Sequence, residues 1–134
     1  MNSRKKPAIL VVDDEKEIQF IIKKILKSMD YEVSLASNVD EALLILEKKT
    51  FNLLLTDYLM AEKTGLDLIH ETKKSHPDMV TILITGSVNH NLFSEAINKG
   101  DIFSLVEKPF KSKYLQETVK RALDFHFQKL DEKK

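Results

Sequence analysis

Asn52-Leu53-Leu54-Leu55-Thr56-Asp57 is the stretch that decides the reading of this chain. Its three consecutive leucines describe a strand buried on both faces. An acid stands where that strand ends. An ionised carboxylate in such a place is costly unless cations or hydrogen bonds answer it. The reading therefore turns on which other residues supply the answer.

Working outward, apolar runs alternate with helical periodicity. Ala8-Ile9-Leu10-Val11-Val12 is a short apolar run closed by Asp13-Asp14, which reads as a first buried strand. Residues 15–29 carry Ile18, Ile21, Ile22, Ile25, Leu26 and Met29 at helical spacing, with Asp14 as the expected N-cap. Residues 31–36 form a second strand, polar enough for a sheet edge. Ser37 or Asn38 caps the helix that follows. After the Leu53-to-Asp57 strand, residues 65–75 form a third helix with Leu66, Leu68 and Ile69 inward. The turn Ser75-His76-Pro77-Asp78 stops it. Residues 79–85 are a β-branched strand. Gly86 opens a loop into a helix over 92–99, stopped by Gly100. Residues 102–106 form the last strand, broken by Lys108-Pro109. A final helix covers about 112–130.

Strand followed by helix, five times, predicts a parallel sheet with helices on both faces. Right-handed crossovers narrow this to a flavodoxin-like, doubly wound α/β fold with strand order 2-1-3-4-5. The chain has 134 residues, the size of one domain, with a core over about 7–127 and residues 128–134 as a helix tail. Lys plus Arg and Asp plus Glu each number 21, so the formal charge is zero, which argues against a nucleic-acid binder. No cysteine is present, which removes disulfides, thiol nucleophiles and zinc-thiolate sites. No apolar run approaches the ~18 residues of a membrane span, and a cytoplasmic location is expected. Neither GxxxxGK[ST] nor GxGxxG follows a strand, so a classical nucleotide site is not expected.

In such sheets ligands bind at the carboxyl ends of the strands. The polar residues placed there are Asp13, Asp14 and Glu15, then Asp57, then Thr85 with Gly86, then Lys108 with Pro109. Converging carboxylates repel and hold their protons tightly; a divalent cation removes that cost. All-oxygen donors suit Mg2+. Asp57 then serves as a nucleophile that forms an aspartyl phosphate. Lys108 supplies a point charge, Thr85 a hydroxyl donor, and Gly86 leaves room beside it. Taken singly, each residue has a plainer reading. Asp13-Asp14 is an acid pair at a helix start, Thr85 a strand residue, Lys108 a solvated turn lysine.

Together these residues resemble the receiver domain of two-component response regulators, from Ile9 to about Phe127. The carriers are Val11-Val12-Asp13-Asp14-Glu15, Asp57-Tyr58-Leu59-Met60 with Gly65, Thr85-Gly86 and Lys108-Pro109-Phe110. The resemblance implies that Asp57 is the phosphoacceptor. It implies that Asp13, Asp14 and Asp57 hold Mg2+ directly or through water, with the Leu59 backbone carbonyl as a further ligand. Thr85 and Lys108 would bind the phosphoryl group and report it. The donor would be a phosphohistidine on a histidine kinase or phosphotransfer protein. The output partner is not specified. The face made by helix four, strand five and helix five is the expected surface for partners or a homodimer, with Phe125 and His126 as candidates.

Two departures from the family pattern carry consequences. Ala61 stands where Pro is common, predicting a less rigid loop. Leu105 stands where Tyr or Phe is usual, predicting a weaker or differently routed switch, with Phe103 at the same strand parity. Two alternatives follow: a phosphorylation-independent interaction module, and a Mg2+-dependent phosphohydrolase. The latter lacks a second acid two residues after Asp57, because Leu59 stands there. The four histidines read as surface or loop residues, Asp67 with His70 and Glu71 as a solvated helix face, and runs 4–6 and 131–134 as frayed ends.

Overall fold

Five apolar runs become five strands, and each is followed by a helix that covers one face of the sheet. The computed structural model describes residues 6–86, 90–98 and 101–133. In chain order the elements are β1 (Ala8–Val12), α1 (Lys16–Lys27), β2 (Glu32–Ala36), α2 (Val39–Lys48), β3 (Leu53–Asp57), α3 (Gly65–Ser75), β4 (Val80–Thr85), α4 (His90–Asn98), β5 (Ser104–Glu107) and α5 (Ser112–Glu132). The sheet is parallel, in the order β2-β1-β3-β4-β5. β1, β3 and β4 are buried along their whole length, as runs of apolar residues in a two-faced sheet must be. β2 and β5 lie at the edges and keep partly exposed positions.

Strand alternation divides the interior into two cores. Leu10, Val12, Leu54 and Leu83 point toward the helices that carry Leu46, Leu68 and Phe93. Ile9, Val11, Leu53, Leu55, Ile82 and Ile84 point the other way, onto α1 and α5 through Ile22, Leu26, Leu115 and Val119. Each of these fully buried aliphatic side chains contributes about 1.5–3 kcal/mol relative to exposure. The register then aligns the strand ends. Val12 pairs with Thr56, which brings Asp13 beside Asp57. Thr85 pairs with Glu107, which puts Lys108 one residue beyond the end of β5.

Several sequence expectations need correction. Asp14 is not the N-cap of α1: that position is Glu15, without a side-chain cap, while the Glu15 N–H donates to Asp13 Oδ1 at 2.8 Å. The buried stripe of α1 is Gln19, Ile22 and Leu26, and Ile21 is exposed. Asn38 rather than Ser37 caps α2, accepting from Glu41 N at 2.7 Å. β5 begins at Ser104, two residues later than expected, and extends to Glu107. α4 runs over His90–Asn98, and its proposed stop, Gly100, lies outside the described residues.

Asp67 is not merely solvated. Its carboxylate accepts from Thr64 N at 2.8 Å while Thr64 Oγ1 accepts from Asp67 N, closing a capping box that starts α3. The C-terminal charge run is not frayed through residue 133, because α5 reaches Glu132 and Lys133 pairs with Asp78. Lys6 pairs with Asp30 at 3.0 Å, and residues 4, 5 and 134 lie outside the described residues. His126 is buried rather than on a surface, and so it cannot belong to a contact face. Its ring sits 3.1 Å from Asn52 Nδ2 and 2.8 Å from the Asp78 carbonyl. Asn52 Oδ1 in turn accepts from Ala8 N at 2.8 Å.

Candidate functional site

Asp13 follows β1 at its carboxyl end, Asp57 closes β3, Thr85 closes β4 and Lys108 follows β5. The parallel order places these ends side by side, flanking the point where strand order reverses. Asp13, Asp14 and Asp57 each offer a carboxylate oxygen within 4.8 Å of the others. Among the described residues this is the acidic cluster with metal-ligand spacing. Asp13 and Asp57 are buried and Asp14 is exposed, so the cluster has a dry floor and an open rim.

Lys108 supplies the cation. Its Nζ lies 3.3 Å from Asp13 Oδ2, 3.4 Å from Asp57 Oδ1 and 3.8 Å from Glu15 Oε1. One ammonium does not neutralise the group. Burial, then the neighbouring Asp13 charge, push Asp57 up to about 6 against the pull of Lys108 and the Tyr58 N–H. Burial also raises Asp13, opposed by the Glu15 N–H and Lys108. For Lys108 burial favours the neutral amine, but Asp13 and Asp57 together outweigh it and hold the ammonium above its ordinary range. Two carboxyls raised and one amine raised describe a site short of positive charge. A hard dication with oxygen preference fits these donors.

The loop after β3 positions the acceptor. Tyr58 N–H is shared between Asp57 Oδ1 at 3.0 Å and the Ile84 carbonyl at 2.8 Å. Gly65 N–H donates to the Tyr58 carbonyl at 2.8 Å. A Cβ on Gly65 would lie 2.4 Å from the Asp57 carbonyl oxygen, so only glycine fits. Two contacts hold the loop that carries Ala61 where proline is common. Lys63 ties it to Asp40 at the start of α2 at 2.9 Å, and Met60 is buried beneath it. Leu59, two residues after the acceptor, is 73% exposed. At Gly86 an added Cβ meets nothing within 4 Å, so room there does not depend on the glycine.

Around Leu105 the structure corrects a second expectation. Leu105 is half-buried and packs into the core formed with α2, α3 and α4. Phe103 is not a substitute for an aromatic there. It precedes β5, outside the strand's alternation, and packs on the opposite core, 5.4 Å from the Phe125 ring. The aromatic contact between the site loop and α4 comes from Tyr58, whose ring meets Phe93 edge-on at 5.1 Å. Sequence reasoning also missed Gln19, a polar residue within the buried stripe of an isoleucine-rich helix.

A five-stranded parallel sheet with an acidic cluster and one lysine at its carboxyl ends defines a doubly wound α/β domain with a candidate cation site. Residues 9–120 match the response regulator receiver domain family. The chain belongs to that family. A putative response regulator, NtrX-like, from Rickettsia bellii is 34% identical over 120 residues, covering 87% of this chain and 24% of the relative. The chain thus spans about a quarter of the length of the curated relatives it matches. A receiver domain protein (CheY-like) from Methanospirillum hungatei superposes with a TM-score of 0.87 at 30% identity, covering 93% of this chain and 99% of the other. TrrA of Thermotoga maritima, solved in complex with Mg2+-BeF, gives a TM-score of 0.76 at 30% identity, covering 87% and 98%. No described helix is long and apolar enough to cross a membrane.

Proposed function

We propose that Asp57 accepts a phosphoryl group from a phosphohistidine on a kinase or phosphotransfer protein. The carrying observation is Lys108 Nζ set between Asp13 and Asp57, within 3.4 Å of both, inside a three-acid cluster. An Asp57 carboxylate oxygen attacks phosphorus, the P–N bond breaks, and the departing imidazole keeps the electron pair and takes a proton from solvent. Asp13, Asp14, Asp57 and the Leu59 carbonyl are the residues that would hold Mg2+. When bound, the ion supplies positive charge to the phosphoryl oxygens. Lys108 moves its charge from the Asp57 carboxylate to the transferred group, and the Thr85 hydroxyl donates to one of its oxygens. The site's work is positioning and neutralisation.

The phosphorylated form acts on a partner or a second copy through the α4–β5–α5 face. Phe125 and Tyr114 are exposed on α5, whereas His126 is excluded by burial. Leu59, a hydrocarbon at 73% exposure two residues after Asp57, offers no base to orient water. A long-lived acyl phosphate is therefore expected, and multiple turnover as a phosphohydrolase is disfavoured; a half-life of seconds or less would overturn this. Leu105 favours a second reading, a phosphorylation-independent binding module, for which Asp57→Asn leaves partner binding unchanged. The deciding experiment incubates the chain with Mg2+ and a small-molecule phosphodonor and reads intact mass. Wild type gains one phosphoryl group and Asp57→Ala gains none; an adduct on another side chain overturns the assignment.

A further inference from the structure

Gln19 is a buried amide on the apolar face of α1, 4% exposed, in line with Ile22 and Leu26. A polar group so placed is costly unless its hydrogen bonds are made. Here they are made to the strand ends beside the site. Gln19 Nε2 donates to the Asp13 carbonyl at 2.6 Å, and lies 3.2 Å from both the Ala36 carbonyl and Ser37 Oγ. Two carbonyls and a hydroxyl around one amide fix its nitrogen inward, because an amide oxygen there would face acceptors.

These bonds complete the fixing of Asp13. Its N–H donates to the Ala36 carbonyl at 3.1 Å. Its own carbonyl is held by Gln19, and its Oδ1 accepts from Glu15 N at 2.8 Å. With both backbone groups and one carboxylate oxygen tied, the position of Oδ2 follows from the backbone. Oδ2 is the oxygen that faces Lys108 at 3.3 Å. The ties also reach the sheet edge, since Ser37 N–H donates to Glu41 Oε1 at 3.0 Å in α2.

We infer that Gln19 is a positioning residue for Asp13: it sets the ligand oxygen of the cation site by clamping the ends of β1 and β2 from inside α1. This rests on the proposed Mg2+ site. Ligand groups must be held within about 0.5 Å of productive geometry, and loss of an outer-shell partner typically weakens metal affinity by about 10–100-fold. Gln19 acts through the Asp13 backbone, so the expected loss is near the lower figure.

The test is calorimetric titration of Mg2+ into the full chain, well below its unfolding temperature, for wild type, Gln19→Met and Val119→Ala. Gln19→Met keeps side-chain length and removes the donors. Val119→Ala weakens the core on α5, away from the site. Gln19→Met is expected to bind Mg2+ about tenfold more weakly, and Val119→Ala to bind as wild type. In autophosphorylation, Gln19→Met raises the half-saturating Mg2+ concentration and keeps the maximal rate at saturating Mg2+. In the wild-type protein the Gln19 side-chain amide NMR signal is expected to move during Mg2+ titration, a measurement that needs no variant. Equal affinity in Gln19→Met and wild type, equal losses in both variants, or a stationary amide signal overturns the inference while leaving the cation site standing. Absence of Mg2+ binding by the wild type overturns both.

Discussion

Asp57 holds its proton to about pH 6 because burial and Asp13 together outweigh Lys108. The linkage sign follows directly. Between the ordinary aspartate value of 3.8 and about 6, the folded state binds more protons than the unfolded chain. Without metal, stability therefore falls as pH rises through this window, and Asp13 adds to it in the same direction. Urea midpoints measured in chelator are expected to drop from pH 4 through pH 6 and to level off about one unit higher. Asp57→Asn removes most of that slope and raises the midpoint at neutral pH; a flat wild-type profile would contradict this. At the same scale, Gly65→Ala forces a Cβ to within 2.4 Å of the Asp57 carbonyl, where backbone has to give. The expected cost is about 1–3 kcal/mol by thermal unfolding, with a slower gain of phosphoryl mass.

The elements meet at a few polar ties that can be tested one by one. Asn52, just before β3, accepts from Ala8 N at the start of β1 and donates to the buried His126 of α5. Asn52→Ala leaves the Ala8 N–H without that acceptor and removes the donor to His126. A loss of about 2 kcal/mol or more is expected in denaturant unfolding. In β5, Leu105 carries no hydroxyl and Phe103 lies on the far core. Phosphorylation of the wild type is expected to change amide exchange in β5 only slightly, and Leu105→Tyr to enlarge that change. A large response in the wild-type strand would refute the weak-switch reading. Contact between the acceptor loop and α4 runs instead through the Tyr58 and Phe93 rings.

At the scale of the molecule, ligand linkage gives the broadest prediction. If the acidic cluster takes Mg2+, saturation at 100 times Kd adds about 2.7 kcal/mol to stability, a rise of several degrees in Tm at this size. An unchanged Tm in wild type would count against the site. How much of this was legible from residues alone depended on whether local pattern or tertiary context set each outcome. β1, β3 and β4 were plain because strands buried on both faces are unbroken apolar runs, and their ends name the site. α3 was found to the residue, although its capping box was read as solvated charge. The start of β5 was set two residues early because apolar Phe103 resembles a strand residue; its N–H still donates to the Thr81 carbonyl, but its ring turns to Phe125 on the opposite core. Gln19 and His126 were missed or misjudged for one reason: a buried polar side chain is recognisable only once its partners from distant segments are in place.

The parallel sheet ends on β2 and β5, each paired along one edge and open along the other, and the chain's formal charge of zero gives little repulsion between copies. Open strand borders of this kind invite stacking into fibrils. β5 is four residues long, and β2 begins with an exposed Glu32 held by Lys49. A short rim on one side and a charged one on the other are features that oppose such templating.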